Sequence, residues 1–138
     1  MAAAGALAWL AALTIYDVRQ RRLPNALTLP GAVVVLVAAA LVGRGPAALL
    51  GAITLTVLYL VVHLISPAAM GAGDVKLALG IGALTGAFGF EAWLMAAVAA
   101  PLLTALWGIL ALRSGDVTVP HGPSMCVAAV AAVALVVV

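Results

Sequence analysis

The sequence has very few charged residues. Only 7% of its 138 residues are Asp, Glu, Lys or Arg, whereas 67% are hydrophobic and the mean hydropathy is +1.34. A soluble domain carries about 25% charged residues, which cover its surface, and a disordered chain depends on high charge and low hydrophobicity. The composition therefore excludes both classes and indicates an integral membrane protein.

Cysteine is nearly absent as well. The single Cys126 excludes an internal disulfide and a zinc site built from several cysteines, and we expect it to be a small core residue. The net charge of +2 is small and scattered along the chain, which argues against a nucleic-acid-binding surface. We therefore expect this chain to lie in the lipid bilayer and to bind no nucleic acid.

Six apolar runs are separated by short clusters of polar residues, glycine and proline. A membrane-spanning helix needs about 20 apolar residues, and open strands cannot span lipid. The sequence therefore predicts an all-α, polytopic membrane protein with about six transmembrane helices, in a single domain over residues 1–138. The runs cover residues 1–16, 26–42, 47–65, 75–90, 92–112 and 124–138.

The basic residues predict the orientation, because lysine and arginine near spans stay on the cytoplasmic side. If the first loop is cytoplasmic, alternation places only Arg44 outside. The basic residues placed inside are Arg19, Arg21, Arg22, Lys76 and Arg113. We therefore expect both termini on the outer face, and we expect the arginines of the first loop to set topology and contact anionic lipid headgroups.

Two of the four acidic residues are candidate functional residues. Glu91 and Asp116 lie in polar connecting segments, where we expect solvated loop charges. Asp17 ends the first apolar run and Asp74 precedes the fourth, so the predicted topology places both at the cytoplasmic face. Acidic residues at membrane depth are costly and usually face a bundle interior or a water-filled cavity.

Two aspartates held together can hydrolyse a peptide bond without a metal. They share one proton, so that the ionised carboxylate draws a proton from water while the protonated carboxyl polarises the peptide carbonyl. Asp74 alone has another interpretation, an N-cap after the turn Gly71-Ala72-Gly73, where the helix dipole favours a carboxylate. The glycines would permit backbone angles and close approaches that other residues cannot make.

Three separated motifs resemble those of the type IV prepilin peptidases, which are intramembrane aspartic proteases of the GxGD class. The motifs are Asp17 with Pro24-Asn25 downstream, Gly71-Ala72-Gly73-Asp74-Val75-Lys76, and Pro120-His121-Gly122-Pro123. The resemblance covers nearly the whole chain. It implies that Asp17 and Asp74 are the catalytic pair. The supporting motif residues that it implies are Gly71, Gly73, Lys76, Pro24 and Asn25.

The resemblance also implies a substrate and a place of reaction. Members of the family remove a short basic leader from precursors of pilins, pseudopilins and preflagellins, as part of type IV pilus assembly and protein secretion. They cut at the cytoplasmic face of the cell membrane, typically after a glycine that precedes a hydrophobic helix. No cofactor is implied.

The sequence departs from the larger members of that family. Those carry an extra N-terminal region, often with paired CxxC motifs, that is linked to methylation of the new N-terminus. Because neither is present here, we expect cleavage only, with no bound zinc and no use of S-adenosylmethionine. His121 stands where members often have an apolar residue, and the sequence suggests no role for it.

A non-enzymatic alternative is a small proton- or ion-coupled membrane transporter that uses Asp17, Asp74 and His63 as a relay. His63 is the only ionisable residue deep in a predicted span, although it could simply bond a neighbouring helix. Transporters often contain internal repeats, and the two halves of this chain show none that is convincing. Neighbouring carboxyl groups would favour the protease, and a polar path across the membrane would favour transport.

The remaining polar and glycine residues suggest architectural roles. Lys76 could stabilise an ionised carboxylate or reach lipid phosphates, and the sequence does not distinguish these. Asn25 is expected to cap the second helix. Gly82 and Gly86 form a GxxxG pair that predicts the close approach of another helix.

Overall fold

The computed structural model describes residues 2–115 and 118–138. Within these ranges the chain forms six α-helices and no strand, which confirms the all-α fold class. The helices are α1 (Ala2–Gln20), α2 (Asn25–Leu41), α3 (Gly45–Ile65), α4 (Ala72–Phe88), α5 (Phe90–Arg113) and α6 (Gly122–Val137).

The ends of α1 and α4 place the two aspartates within helical turns. α1 continues beyond the first apolar run to Gln20, because the backbone hydrogen bonds of a helix do not require apolar side chains, so Asp17 lies in its last turns. α4 begins at Ala72, so Asp74 lies in its first turn, as the sequence predicted.

The interpretation of Asn25 as a helix cap is wrong. Pro24 occupies the N-cap position of α2, with φ −67° and ψ 132°, and Asn25 is the first helical residue. The proline ring fixes φ, and the extended ψ of Pro24 ends the connecting segment one residue before Asn25. The Asn25 side chain instead accepts a hydrogen bond from Lys76 Nζ of α4, at 2.9 Å.

Two of the described helices are long and apolar enough to cross a membrane, by length and composition alone. These are α3 and α5, whereas α2 and α6 are apolar but shorter. Together with the apolar surface described below, they indicate a membrane protein.

The packing of the bundle puts small side chains inside and large apolar ones outside. Most of the buried apolar side chains are alanines, such as Ala52, Ala78 and Ala129. Large side chains cover the exterior, among them Val33, Val34 and Val37 of α2 and Leu102, Leu106 and Ile109 of α5. This distribution is typical of membrane helices, which associate through close packing of small residues while large apolar residues face lipid.

Helix α4 lies at the centre of the bundle and contacts α2, α3, α5 and α6. Its closest neighbour is α3. A side chain at Gly82 would collide with the Gly51 carbonyl group of α3, and one at Gly86 would lie 2.8 Å from the Ala47 oxygen. The close helix approach predicted from Gly82 and Gly86 is therefore confirmed. A single residue, Gly89, joins α4 to α5 with φ +116°, a conformation that favours glycine.

The contact between α3 and α4 generates a test. We expect Gly82→Ala to lower the free energy of unfolding by about 1–3 kcal/mol, because the new methyl group meets backbone atoms that can move only if the helices separate. The measurement is the thermal midpoint of the purified protein in one detergent. Gly108→Ala in α5 is the matched control, because nothing lies within 4 Å of its added methyl group. Equal midpoints for the two variants would contradict the packing described here.

Candidate functional site

Asp17 lies buried in the last turns of α1, with 7% of its surface exposed. Its Oδ2 accepts a hydrogen bond from the backbone N–H of Gly122, the first residue of α6, at 2.9 Å. The first amides of a helix have no partner within the helix, and the helix dipole favours a negative charge beside them. A side chain at Gly122 would collide with the Asp17 carboxylate, so this contact requires glycine.

Asp74 lies half-buried in the first turn of α4. Its Oδ2 accepts a hydrogen bond from the backbone N–H of Gly71 at 3.2 Å, which is the backward half of a capping box. The N-cap position belongs to Gly71, so the interpretation of Asp74 as the N-cap residue itself is wrong. Each carboxylate therefore lies beside a helix N-terminus, that of α6 for Asp17 and that of α4 for Asp74, and the helix dipole does not distinguish which of them is ionised.

A cavity of about 510 Å³ brings the two aspartates together at one end of the bundle. Asp74 lies near enough to Asp17 for the charge of one carboxylate to act on the other. The cavity is lined by Asp17, Gln20, Arg21, Arg22, Leu23, Pro24, Asn25, Gly71, Ala72, Gly73, Asp74 and Lys76. The structure thus brings together both candidate catalytic residues and all five supporting motif residues.

The motif glycines do not adopt the special backbone angles that the sequence suggested. Gly71 has an ordinary φ of −73°, and the positive-φ glycines of the described chain lie elsewhere. An added Cβ at Gly73 would lie 3.4 Å from the Leu23 side chain, an ordinary van der Waals contact. Neither residue therefore needs glycine for its backbone angles. Gly71 and Gly73 form a wall of the cavity that carries no side chains.

Lys76 and Asn25 join two walls of the cavity. The hydrogen bond from Lys76 Nζ to Asn25 Oδ1 links the first turns of α4 and α2. The partner of Lys76 among the described residues is therefore an amide oxygen and not a carboxylate. The contact holds the wall that carries Asp74 against the wall that follows Pro24.

Three polar side chains from different helices meet beside Gly122, and sequence reasoning missed this cluster. His121 Nε2 lies 3.1 Å from the Tyr59 hydroxyl oxygen of α3, and His121 Nδ1 lies 2.6 Å from Thr104 Oγ1 of α5. Burial lowers the pKa of His121, which favours the neutral ring at pH 7. The segment containing His121 was noticed in the sequence, but its partners lie 62 and 17 residues away along the chain.

His63 makes its contact with a connecting segment and not with a neighbouring helix as expected. Its Nδ1 lies 2.6 Å from the carbonyl oxygen of Met70, just before the Gly71-Ala72-Gly73 turn. The ring is half-buried near the end of α3. This bond places His63 next to the segment that holds Asp74, outside the set of residues that line the cavity.

The other expectations concern residues away from the cavity. Glu91 is exposed in the first turn of α5, as expected of a solvated charge. Cys126 is a buried free thiol in α6, which confirms its role as a core residue. Asp116 lies outside the described residues.

Comparison with known protein families decides what kind of protein contains this cavity. A model of the type IV leader peptidase family matches residues 4–138, a range that includes both aspartates. The chain belongs to this family. No curated protein and no solved structure gives a significant match.

Membership of the type IV leader peptidase family confirms the resemblance noted in the sequence and supports a peptidase function in general. It does not favour the transporter alternative. In this leader peptidase, Asp17, Asp74 and the cavity between them are the candidate active site.

The contact of Gly122 with Asp17 gives a test of the site. We expect Gly122→Ala to lower the rate of leader cleavage at least about tenfold, because the methyl group displaces the Asp17 carboxylate from its amide partner. The measurement is cleavage of a pilin-type precursor in proteoliposomes, per amount of inserted enzyme. Gly5→Ala, in the same helix as Asp17 and with nothing within 4 Å of the added methyl group, should cleave normally. A fully active Gly122→Ala enzyme would show that the contact is unimportant.

Proposed function

We propose that the chain is an aspartic endopeptidase that removes the basic leader from type IV prepilin-like precursors. The observation that carries the proposal is that Asp17 and Asp74 line the same cavity. Each carboxylate is held by one backbone N–H, which leaves its other oxygen for substrate or water. The family match supports the choice of leader-bearing precursors as substrates.

The proposed reaction uses the two carboxyl groups as acid and base. One proton is shared by the pair, because two neighbouring carboxylates in a partly buried site do not easily both ionise. The ionised group removes a proton from water as the water oxygen attacks the scissile carbonyl carbon, and the protonated group donates a hydrogen bond to the carbonyl oxygen. The carboxyl group that removed the proton from water then donates it to the nitrogen of the scissile bond as the bond breaks, which yields a carboxylic acid and an amine and leaves the pair with one proton again.

The wall formed by Gly71, Ala72 and Gly73 suits an extended peptide. It carries at most a methyl group at each position and borders Asp74 directly. A peptide backbone can approach such a wall closely, as glycine-lined surfaces allow. This arrangement leaves room for a substrate backbone beside Asp74, where the family resemblance implies a cut after glycine.

The distribution of basic residues supports six spans with the cavity facing the cytoplasm. Arg21, Arg22 and Lys76 lie at the cavity end of the bundle. Arg44 lies at the other end of α4, where its Nη1 donates a hydrogen bond to the Ala87 carbonyl oxygen at 2.9 Å. By the positive-inside rule the cavity end is cytoplasmic and both termini are outside. Cleavage without methylation of the product stays a prediction.

The proposal predicts that both aspartates are essential. Asp17→Asn and Asp74→Asn should each reduce cleavage of a co-expressed pilin precursor to background, because an amide can neither accept the proton from water nor supply a carboxyl proton. The measurement is the electrophoretic shift of the precursor in membranes with equal amounts of enzyme. Glu91→Gln, which removes an exposed acid of α5, is the control and should cleave normally. Normal cleavage by either aspartate variant would refute the proposed mechanism.

The shared proton predicts a bell-shaped dependence of cleavage rate on pH. The rate should fall at low pH, where both carboxyl groups are protonated and no base remains, and at high pH, where both are ionised and no acid remains. The measurement is the initial rate in proteoliposomes over a pH series, with insertion checked at each pH. A rate that rises to a plateau with a single inflection would contradict a two-carboxyl mechanism.

A further inference from the structure

Each of the two histidines of the chain either contacts or is the residue that precedes the glycine holding one aspartate. Each aspartate accepts a backbone N–H from a glycine, Gly71 for Asp74 and Gly122 for Asp17. The residue before each glycine is anchored by a histidine side chain. For Gly71 that residue is Met70, whose carbonyl contacts His63, and for Gly122 it is His121 itself.

His63 contacts the same peptide group that holds Asp74. The Met70 carbonyl can only accept, so His63 Nδ1 carries the hydrogen and donates it across 2.6 Å. The Met70 carbonyl and the Gly71 N–H belong to one peptide unit, and that N–H donates to Asp74 Oδ2. Hydrogen bonds in such a chain polarise and strengthen one another.

His121 fixes the peptide group that holds Asp17. The Thr104 hydroxyl donates to the Ala100 carbonyl oxygen at 3.1 Å, so its oxygen accepts from His121 Nδ1–H. The Nε2 atom of the neutral ring then accepts from the Tyr59 hydroxyl. Both ring nitrogens are satisfied, and the ring ties the start of α6 to α3 and α5.

The hydrogen bond from the Gly122 N–H to Asp17 depends closely on the position of the Gly122 peptide group. The N–O distance of 2.9 Å between Gly122 and Asp17 is already that of a normal hydrogen bond, so the peptide group has little room to approach more closely. A shift in the other direction lengthens the 2.9 Å hydrogen bond. The His121 ring, in contact with Tyr59 and Thr104, belongs to the residue directly before Gly122.

We infer that His63 and His121 are positioning residues, each of which holds the peptide group whose N–H orients one catalytic aspartate. This inference rests on the proposed function. Neither histidine is among the described residues that line the cavity, and we therefore assign neither a direct contact with the substrate. Their loss should therefore change the catalytic step and leave substrate binding nearly unchanged.

The experiment measures kcat and KM for cleavage of a pilin-type precursor in proteoliposomes, per folded enzyme. His63→Phe keeps the ring size without a donor, and His121→Ala removes both ring contacts. We expect kcat to fall between about 10-fold and about 100-fold in each, with KM within about twofold of the original. His63→Asn should recover most of the lost kcat, because its amide N–H can take the position of Nδ1–H.

Two further variants separate positioning from general stability. Thr104→Val removes the oxygen that accepts the hydrogen bond of the His121 ring, and it should lower kcat in the same way. It therefore tests the role of His121 even if His121→Ala does not fold. Trp93→Phe removes a comparable hydrogen bond, from the indole N–H to the Gly51 oxygen at 3.0 Å, between α5 and α3. This control should lower the thermal midpoint while kcat stays at the original value.

The outcomes distinguish this inference from the proposed function. If the unaltered chain cleaves and Asp17→Asn does not, but His63→Phe and Thr104→Val keep the original kcat, the positioning role is refuted and the protease stands. The positioning role is also refuted if His63→Asn is no better than His63→Phe, or if Trp93→Phe lowers kcat equally. Cleavage by Asp17→Asn would refute the proposed function itself.

Discussion

The N–H group of Gly122, at the start of α6, meets the buried carboxylate of Asp17 in α1, and the candidate site depends on this contact. A carboxylate so far removed from water is costly unless it is hydrogen-bonded, and the unpaired first amide of a helix is a suitable donor. The contact brings the two terminal helices of the chain together, over a separation of 105 residues. It also explains why glycine stands at position 122, since a larger residue would expel the carboxylate.

The second aspartate is held by the same chemistry with a local partner. Asp74 accepts the Gly71 N–H only three residues away, so its contact is formed by the first turn of α4 itself. The two carboxylates therefore line one cavity, because α4, at the centre of the bundle, carries one of them to the end where α1 and α6 join.

The small side chains in the interior of the bundle allow this arrangement in so short a chain. Alanine and glycine let α3 and α4 approach until their backbones touch at Gly51 and Gly82. In lipid there is no hydrophobic driving force between helices, so close contact of this kind supplies the attraction. Polar side chains are then confined to a few contacts between helices, and several of these lie at the cavity or next to the aspartates.

The sequence by itself determined the helical class of the protein and its six helices, because apolar runs mark helices locally. It also identified the two aspartates as candidates, because scarcity of charge makes each acidic residue conspicuous. The prediction that Asp74 begins a helix held because capping is a local interaction. Only the tertiary structure decided the roles of Gly122, His121, Lys76 and Asn25, whose partners lie 105, 62, 51 and 51 residues away. Those contacts depend on how small-residue helix faces fit together in three dimensions, and no periodicity along the chain encodes that fit.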